Sequence, residues 1–314
     1  MVKVLVLAAT GQQGNATARA LLSSSKQHAV RAYVRDASSL KAQELAALGA
    51  EVVEGGDWDK DVAALDKAVA GVEAVFFISN PSFTDHGAEV KGATNIVEAA
   101  KRAGTVNHIV YSTVAGVENY KDLPGLDANP FFRNYWESKA KGEELVKNAG
   151  LAHYTILRPT EFMSNWTNQR RALFQVPDLV KEGIWHTAMP PSFLLSEIDT
   201  DDIGRVAAAA IEAPDTFAGG PNRVLKLIGE RITVADLIAQ LSEAAGKKMT
   251  TYMYTPEEAE EAAKKNPVVA GQLSRLAKQE GLQPLEHYGL KFNTFKEHLA
   301  NHLDEVKELY KNVP

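Results

Sequence analysis

The chain has no cysteine among its 314 residues. A disulfide framework, a thiolate metal centre and a cysteine nucleophile are therefore excluded, and the absence suits a reducing compartment. No stretch of about 18 consecutive apolar residues occurs, so no transmembrane helix is expected. Basic charge is neither abundant nor concentrated. Lys and Arg number 34 against 40 Asp and Glu, a formal net charge of -6, and no dense Lys/Arg run is present. Direct binding to nucleic acid through its phosphates is not expected from that balance. No His/Asp/Glu cluster has metal-ligand spacing, so no metal is expected. The N-terminus has neither a basic leader nor a small-residue cleavage site, so no signal peptide is read. A cytoplasmic address is expected, and a nuclear one is compatible with it. Repeats and low-complexity segments are missing as well.

What is present is a rhythm. Val2–Leu7, interrupted by Lys3, reads as a short buried strand, and Asn15–Ser24 follows with helical spacing of Ala16, Ala20 and Leu21. Strands at Val30–Val34, Glu51–Glu54, Ala74–Ile78, His108–Ser112 and Tyr154–Leu157 then alternate with helices at Ser39–Leu48, Val62–Val69, Gly87–Ala103 and Trp136–Asn148. That alternation predicts right-handed βαβ units and an α/β fold built on a doubly wound parallel sheet. After Arg158-Pro159 the rhythm breaks. Trp166–Lys181 reads as helix and Trp185–Leu195 as loop or short strand. Thr200–Ala213 is a helix starting at Thr200-Asp-Asp, and Val224–Ile228 a strand. Thr233–Ala244 opens on a capping-box pattern, Met249–Met253 is a short strand, and the chain from Pro256 is helical and charged. The expected organisation is a Rossmann-type domain over residues 1–157 and a smaller mixed domain over 158–314, with 197–215 folding back onto the first.

Ala8-Ala9-Thr10-Gly11-Gln12-Gln13-Gly14 has the spacing of a glycine-rich G-x-x-G-x-x-G turn, with alanine in the first glycine position. It follows a strand and opens a helix. Small residues there let the backbone approach a pyrophosphate, and the helix N-terminus offers free N–H groups and partial positive charge. Such a turn predicts a bound dinucleotide. An NAD-binding turn usually has an acidic residue about 20 positions on, for the ribose 2′-OH. Here Arg35 takes that place, and a guanidinium forks onto a 2′-phosphate. Lys41 is placed to join it. NADP(H) is expected ahead of NAD, with Asp36 an alternative ribose partner.

Taken in order, Ala9–Gly14, Val34-Arg35-Asp36, Gly56-Asp57, His108-Ile-Val-Tyr-Ser112, Leu157-Arg-Pro-Thr-Glu-Phe-Met163 and Asp202-Ile-Gly204 resemble the NmrA-like family. These are atypical members of the short-chain dehydrogenase/reductase superfamily. The resemblance runs nearly the whole chain. It implies a cleft between a Rossmann domain and a small C-terminal domain, with Thr10, Gly11, Gln12, Gln13 and Gly14 at the phosphates and Arg35 and Lys41 at the 2′-phosphate. It further implies Asp57 near the adenine, Lys139 at the nicotinamide ribose, and Ser79 among the cofactor contacts. The family contains both NADP(H)-sensing regulators that bind proteins such as transcription factors and reductases of small molecules. The expected partner is thus a small substrate or a regulatory protein, and the expected assembly a monomer or homodimer.

Tyr135-Trp-Glu-Ser-Lys139 fits a Y-x-x-x-K signature. One helical turn puts both side chains on one face. The tyrosine hydroxyl would exchange the proton at a substrate oxygen, the lysine would lower its pKa and hold the ribose, and Ser112 (or Thr113) would polarise a carbonyl. Packing against Trp136, Phe131 and Phe132 is the structural alternative for Tyr135. Phe162, Met163, Trp166, Trp185 and Phe193 read either as an apolar substrate pocket or as a packed seam. His86 is a loop residue able to reach the cleft, while His108 and His153 read as structural.

Overall fold

The computed structural model describes the whole chain except residues 79–81, 83, 84, 86, 124, 125, 127–129 and 278–284. The first half runs β1 (Lys3–Val6), α1 (Gln12–Leu22), β2 (Ala29–Val34), α2 (Leu40–Ala47), β3 (Glu51–Glu54), α3 (Val62–Val69), β4 (Ala74–Ile78), α4 (Ala88–Ala103), β5 (His108–Ser112), α5 (Pro130–Lys147) and β6 (His153–Pro159). The second half runs β7 (Glu161–Phe162), α6 (Gln169–Gln175), α7 (Pro177–Glu182), β8 (Ile184–Thr187), β9 (Leu194–Ile198), α8 (Thr200–Glu212), β10 (Arg223–Leu227), β11 (Glu230–Thr233), α9 (Val234–Ala245) and β12 (Thr250–Met253). Helices α10 (Pro256–Lys265), α11 (Pro267–Ala277), α12 (Phe295–Asn301) and α13 (Leu303–Leu309) follow.

Seven strands form one sheet in the order β10-β6-β5-β4-β1-β2-β3, and every pairing in it is parallel. This is the doubly wound α/β arrangement that the alternation predicts. Its period of two is legible in β1. Val4 and Val6 enter a core shared with α1 and α8, whereas Leu5 enters the opposite core, with Val75, Phe77 and the apolar faces of α3 and α4. Each fully buried side chain of this size contributes about 1.5–3 kcal/mol. Chain order reverses between β1 and β4, which opens the crevice where such sheets take ligands.

The chain beyond Pro159 is interleaved with that sheet. β10 extends it beside β6, and α8 lies on α1. The Asp202-Ile-Gly204 segment explains the fit. A Cβ on Gly204 would sit 2.4 Å from the Ala16 carbonyl carbon, so only glycine lets the helices touch. The fully buried Asp202 carboxylate accepts from the Asn293 amide at 2.8 Å and pairs with Arg205. A separate core gathers Met163, Trp166, Trp185, Leu237 and Phe295 with residues of α7 and α13. Over it lie a three-stranded sheet, β11-β9-β7, and the parallel pair β12-β8.

Local differences from the sequence reading have identifiable causes. Trp166–Lys181 is not one helix: Pro177 removes an amide and starts α7 afresh after α6. The N-cap of α8 is Asp199 rather than Thr200, its carboxylate accepting from the Asp201 amide at 3.0 Å. Thr233 caps α9 by accepting from the Asp236 amide at 3.0 Å, but no reciprocal box forms: the Asp236 carboxylate accepts from the Thr233 hydroxyl at 2.6 Å instead of from its amide. Complete boxes occur instead at Thr255–Glu258 and Thr294–Glu297. Among the described residues no helix is long and apolar enough to cross a membrane, and no group of three or more His, Asp or Glu is arranged to hold a metal ion.

Candidate functional site

The crevice opens on the glycine-rich turn. Ala8, in the first glycine position, has φ +51°, a left-handed conformation that glycine adopts without strain and alanine does not. The bend aims its carbonyl at the helix start: the Gly11 amide donates to it at 2.8 Å. A Cβ on Gly14 would lie 2.2 Å from the same oxygen and 2.8 Å from the Leu7 carbonyl. Gly14 thus keeps α1 pressed onto the end of β1. Helix α1 starts at Gly11 with no side-chain cap and no acid in its first turn, whereas α3 and α8 are capped by Asp61 and Asp199. An uncapped helix start leaves first-turn amides for an anion. Thr10, Gly11 and Gln12 are half-buried, Gln13 and Gly14 buried.

Beyond β2, Arg35 lines an open hollow of about 440 Å³ with Glu54, Gly55, Gly56, Asp57 and Asp61. Its side chain is 80% exposed and lies 3.9 Å from Asp57, which stands as far from Lys60. Tyr33 shapes the floor. Its hydroxyl donates to the Gly56 carbonyl at 2.8 Å, and a Cβ on Gly55 would collide with it at 2.2 Å. Burial, then Asp61 and Asp57, raise the Tyr33 pKa to about 12. Asp36, left open as a ribose partner, is already engaged. Its Oδ1 accepts from the Ser38 amide at 2.8 Å and the Ser38 hydroxyl at 2.6 Å, bonds that hold the carboxyl below its usual range. Lys41 is exposed in the first turn of α2. Ser79 and His86 lie outside the described residues.

Tyr135 and Lys139 do share a face of α5, the Lys139 Nζ standing 5.4 Å from the Tyr135 ring centroid. The ammonium, however, is held by a carboxylate that the sequence reading missed. Lys139 Nζ lies 2.8 Å from Glu89 Oε1, and both side chains are at most 5% exposed. The expected lowering of the tyrosine pKa by the lysine is therefore not found. Burial pushes the Tyr135 phenol above the ordinary tyrosine range, Glu89 and then Glu161 add to the push, and Arg171 opposes it. Tyr135 also meets Trp136 edge to face at 5.3 Å.

Ser112 does not face an open space. Its hydroxyl donates to Gln13 Oε1 at 2.6 Å, both residues being buried, so the end of β5 is tied to the glycine-rich turn. Thr113 is committed to Glu143 at 2.9 Å, inside a cluster where Arg158 forks onto the same carboxylate at 2.7 and 2.8 Å. Met163, Trp166 and Trp185 are 0%, 4% and 5% exposed and belong to the second core. Trp166 meets Trp185 edge to face at 5.0 Å. The three are packed as the seam reading has it, and the void beside Trp166 and Trp185 holds only about 20 Å³. Phe162 and Phe193 are half-buried. His108 is buried on Thr155 Oγ1 at 3.0 Å, and burial, then His153, lower its pKa to about 4.

Glu89 and Glu161 had one weak signal in the sequence: each falls at the start of the element that follows a strand of the large sheet, β4 or β6, whereas Arg171 lies further on, in α6. Nothing in their spacing brings them to Tyr135; the topology does.

A family model described as the NmrA-like family matches residues 2–288. The nitrogen metabolite repression protein nmrA of Emericella nidulans is 26% identical over 261 residues, covering 81% of this chain and 68% of that protein. The (4-alkanoyl-5-oxo-2,5-dihydrofuran-3-yl)methyl phosphate reductase of Streptomyces griseus is 30% identical over 248 residues, 78% of this chain and 75% of that one. Among solved structures, the triphenylmethane reductase of a Citrobacter species complexed with NADP(H) superposes with a TM-score of 0.71 at 23% identity, over 96% of this chain and all of that one. The last likeness is one of fold.

Proposed function

Because this chain belongs to the NmrA-like family, we propose that it is an NADP(H)-binding reductase of a small carbonyl, quinone or enone compound. The observation that carries the reading is the Tyr135–Lys139 pair, kept one helical turn apart with the ammonium 5.4 Å from the phenol ring. The residues present fit a dinucleotide. The turn at Thr10–Gly14 presents an uncapped helix start to a pyrophosphate, and Arg35 projects an exposed guanidinium over the hollow beside β3. The nicotinamide, when bound, supplies the hydride. The chain's own part is positional and acid–base. Lys139 holds the ribose hydroxyls, and Tyr135 delivers a proton to the substrate oxygen. A phenol with a raised pKa stays protonated, the form a reduction needs. Ser112 orders the turn through Gln13 rather than touching substrate. The test mixes the protein with NADPH and a panel of quinones, enones and carbonyl compounds and follows the nicotinamide absorbance. Turnover that Tyr135→Phe lowers by about a hundredfold or more supports the reading. No turnover above that variant ends it.

A second reading, an NADP(H)-sensing regulator that binds a protein partner, is favoured by the relative named as a repression protein. It predicts capture of a partner that changes between NADP and NADPH.

A further inference from the structure

Helix α4 buries Glu89, Gly92, Ala93, Ile96, Val97 and Ala100 along one stripe. At helical spacing, residue 89 is a core position, where an apolar side chain would be the stable choice. A carboxylate there breaks the local pattern, and such breaks collect at functional sites. Its partner breaks the pattern of α5 in the same way, since Lys139 lies in the buried stripe with Phe132, Gly142 and Val146. The two meet at 2.8 Å, within the crevice edge of the large sheet, one turn from Tyr135.

We propose that Glu89 is a positioning residue for the dinucleotide site, its carboxylate holding the Lys139 ammonium in the orientation from which it receives the ribose. The inference rests on the reductase reading for its kinetic part and on the dinucleotide site alone for its binding part. Without Glu89 the buried Lys139 ammonium loses the carboxylate that stands 2.8 Å from it, and a displaced ammonium would serve neither ribose nor phenol. Glu89 also sets the electrostatic surroundings of Tyr135 together with Glu161 on β7, Arg171 on α6 and Lys139 itself. Removing its negative charge favours the phenolate, so the alkaline limb of the reduction rate moves to lower pH.

The experiment compares the parent protein with Glu89→Gln and Glu89→Asp. NADPH is titrated by its fluorescence, and initial rates are taken from about pH 6 to about pH 10 with the best substrate of the panel. Glu89→Gln is expected to weaken NADPH binding by about tenfold or more, lower kcat and bring into that pH window an alkaline limb that the parent, whose phenol stays protonated there, lacks, while Glu89→Asp recovers most of the affinity. Binding, kcat and limb all unchanged in Glu89→Gln would overturn the proposal. So would equal losses in both variants, because a purely structural carboxylate gives no recovery. If Glu89→Gln does not fold, Glu89→Met, which keeps the packing and removes the charge, decides: a Kd for NADPH raised by about tenfold at an unchanged melting temperature supports the inference, and an unchanged Kd overturns it. A parent that binds NADPH but turns over nothing overturns only the reductase reading, and the titration still decides the role of Glu89.

Discussion

The Ser112 hydroxyl and the Gln13 side-chain carbonyl are joined by a 2.6 Å hydrogen bond, out of contact with water. The bond links the end of β5 to the first turn of α1. Removing the donor leaves a buried amide oxygen without it, a loss of about 1–3 kcal/mol. Ser112→Ala is therefore expected to melt a few degrees lower and to bind NADPH more weakly. Thermal denaturation and a nucleotide titration check both. If Ser112 instead polarised a substrate carbonyl, the variant would lose kcat with its affinity for NADPH intact.

Gly14 and Ala8 make an opposed pair. Gly14→Ala places a Cβ against two backbone oxygens, neither of which can yield without opening the turn. It is expected to abolish dinucleotide binding and to lower stability. Ala8→Gly relieves a left-handed alanine, worth about 1–2 kcal/mol, and gives back part of that as unfolded-chain entropy. Denaturant titration should show it equal to or up to about 1 kcal/mol more stable than the parent.

Arg35 and Asp36 can be separated by cofactor preference. Arg35→Ser should weaken NADPH by about tenfold while NADH changes by less than about twofold. Asp36→Asn should leave that ratio unchanged, because the carboxylate is spent on Ser38. A shift of preference toward NADPH in Asp36→Asn would show that Asp36 meets the ribose after all.

Asp199 gives a pH dependence. Burial alone would raise its pKa. Bonds from His298 at 3.0 Å, from Asn293 at 3.0 Å and from the Asp201 amide reverse the sign and hold it at about 2. An unfolded aspartate titrates near about 3.9, so the folded form is favoured above that pH and the advantage disappears as the pH falls toward 2. The contribution is about 2 kcal/mol. Asp199→Asn should be less stable at neutral pH by roughly that amount and should lose less stability than the parent between about pH 4 and about pH 2. Thermal melts across that range provide the check.

The sheet was legible because its strands announce themselves. Ala74-Val-Phe-Phe-Ile78 and His108-Ile-Val-Tyr-Ser112 are apolar on both faces and bounded by breaks, and β4 and β5 have those same limits. The phosphate turn was legible for a similar reason: its glycines answer a backbone requirement at fixed spacing. β7, two residues long, was not, since Glu161-Phe162 has no period to read. Helix α5 begins at Pro130, before the apolar pattern that was read from Trp136 onward, because proline suits a first helical turn. Most of the surroundings of Tyr135 were illegible. Glu89 and Lys139 are 50 positions apart in the numbering and become neighbours only through the packing of α4 on α5.

The seating of Gly204 on Ala16 has a consequence for how the molecule is made. The helix that carries the phosphate turn follows β1 directly, yet the helix that covers its apolar side comes only after nine strands in chain order. Until then Ala18 and Leu21 have no cover from α8. The appearance of α8, rather than of the turn itself, sets the earliest moment at which the nucleotide-binding end can acquire its final shape.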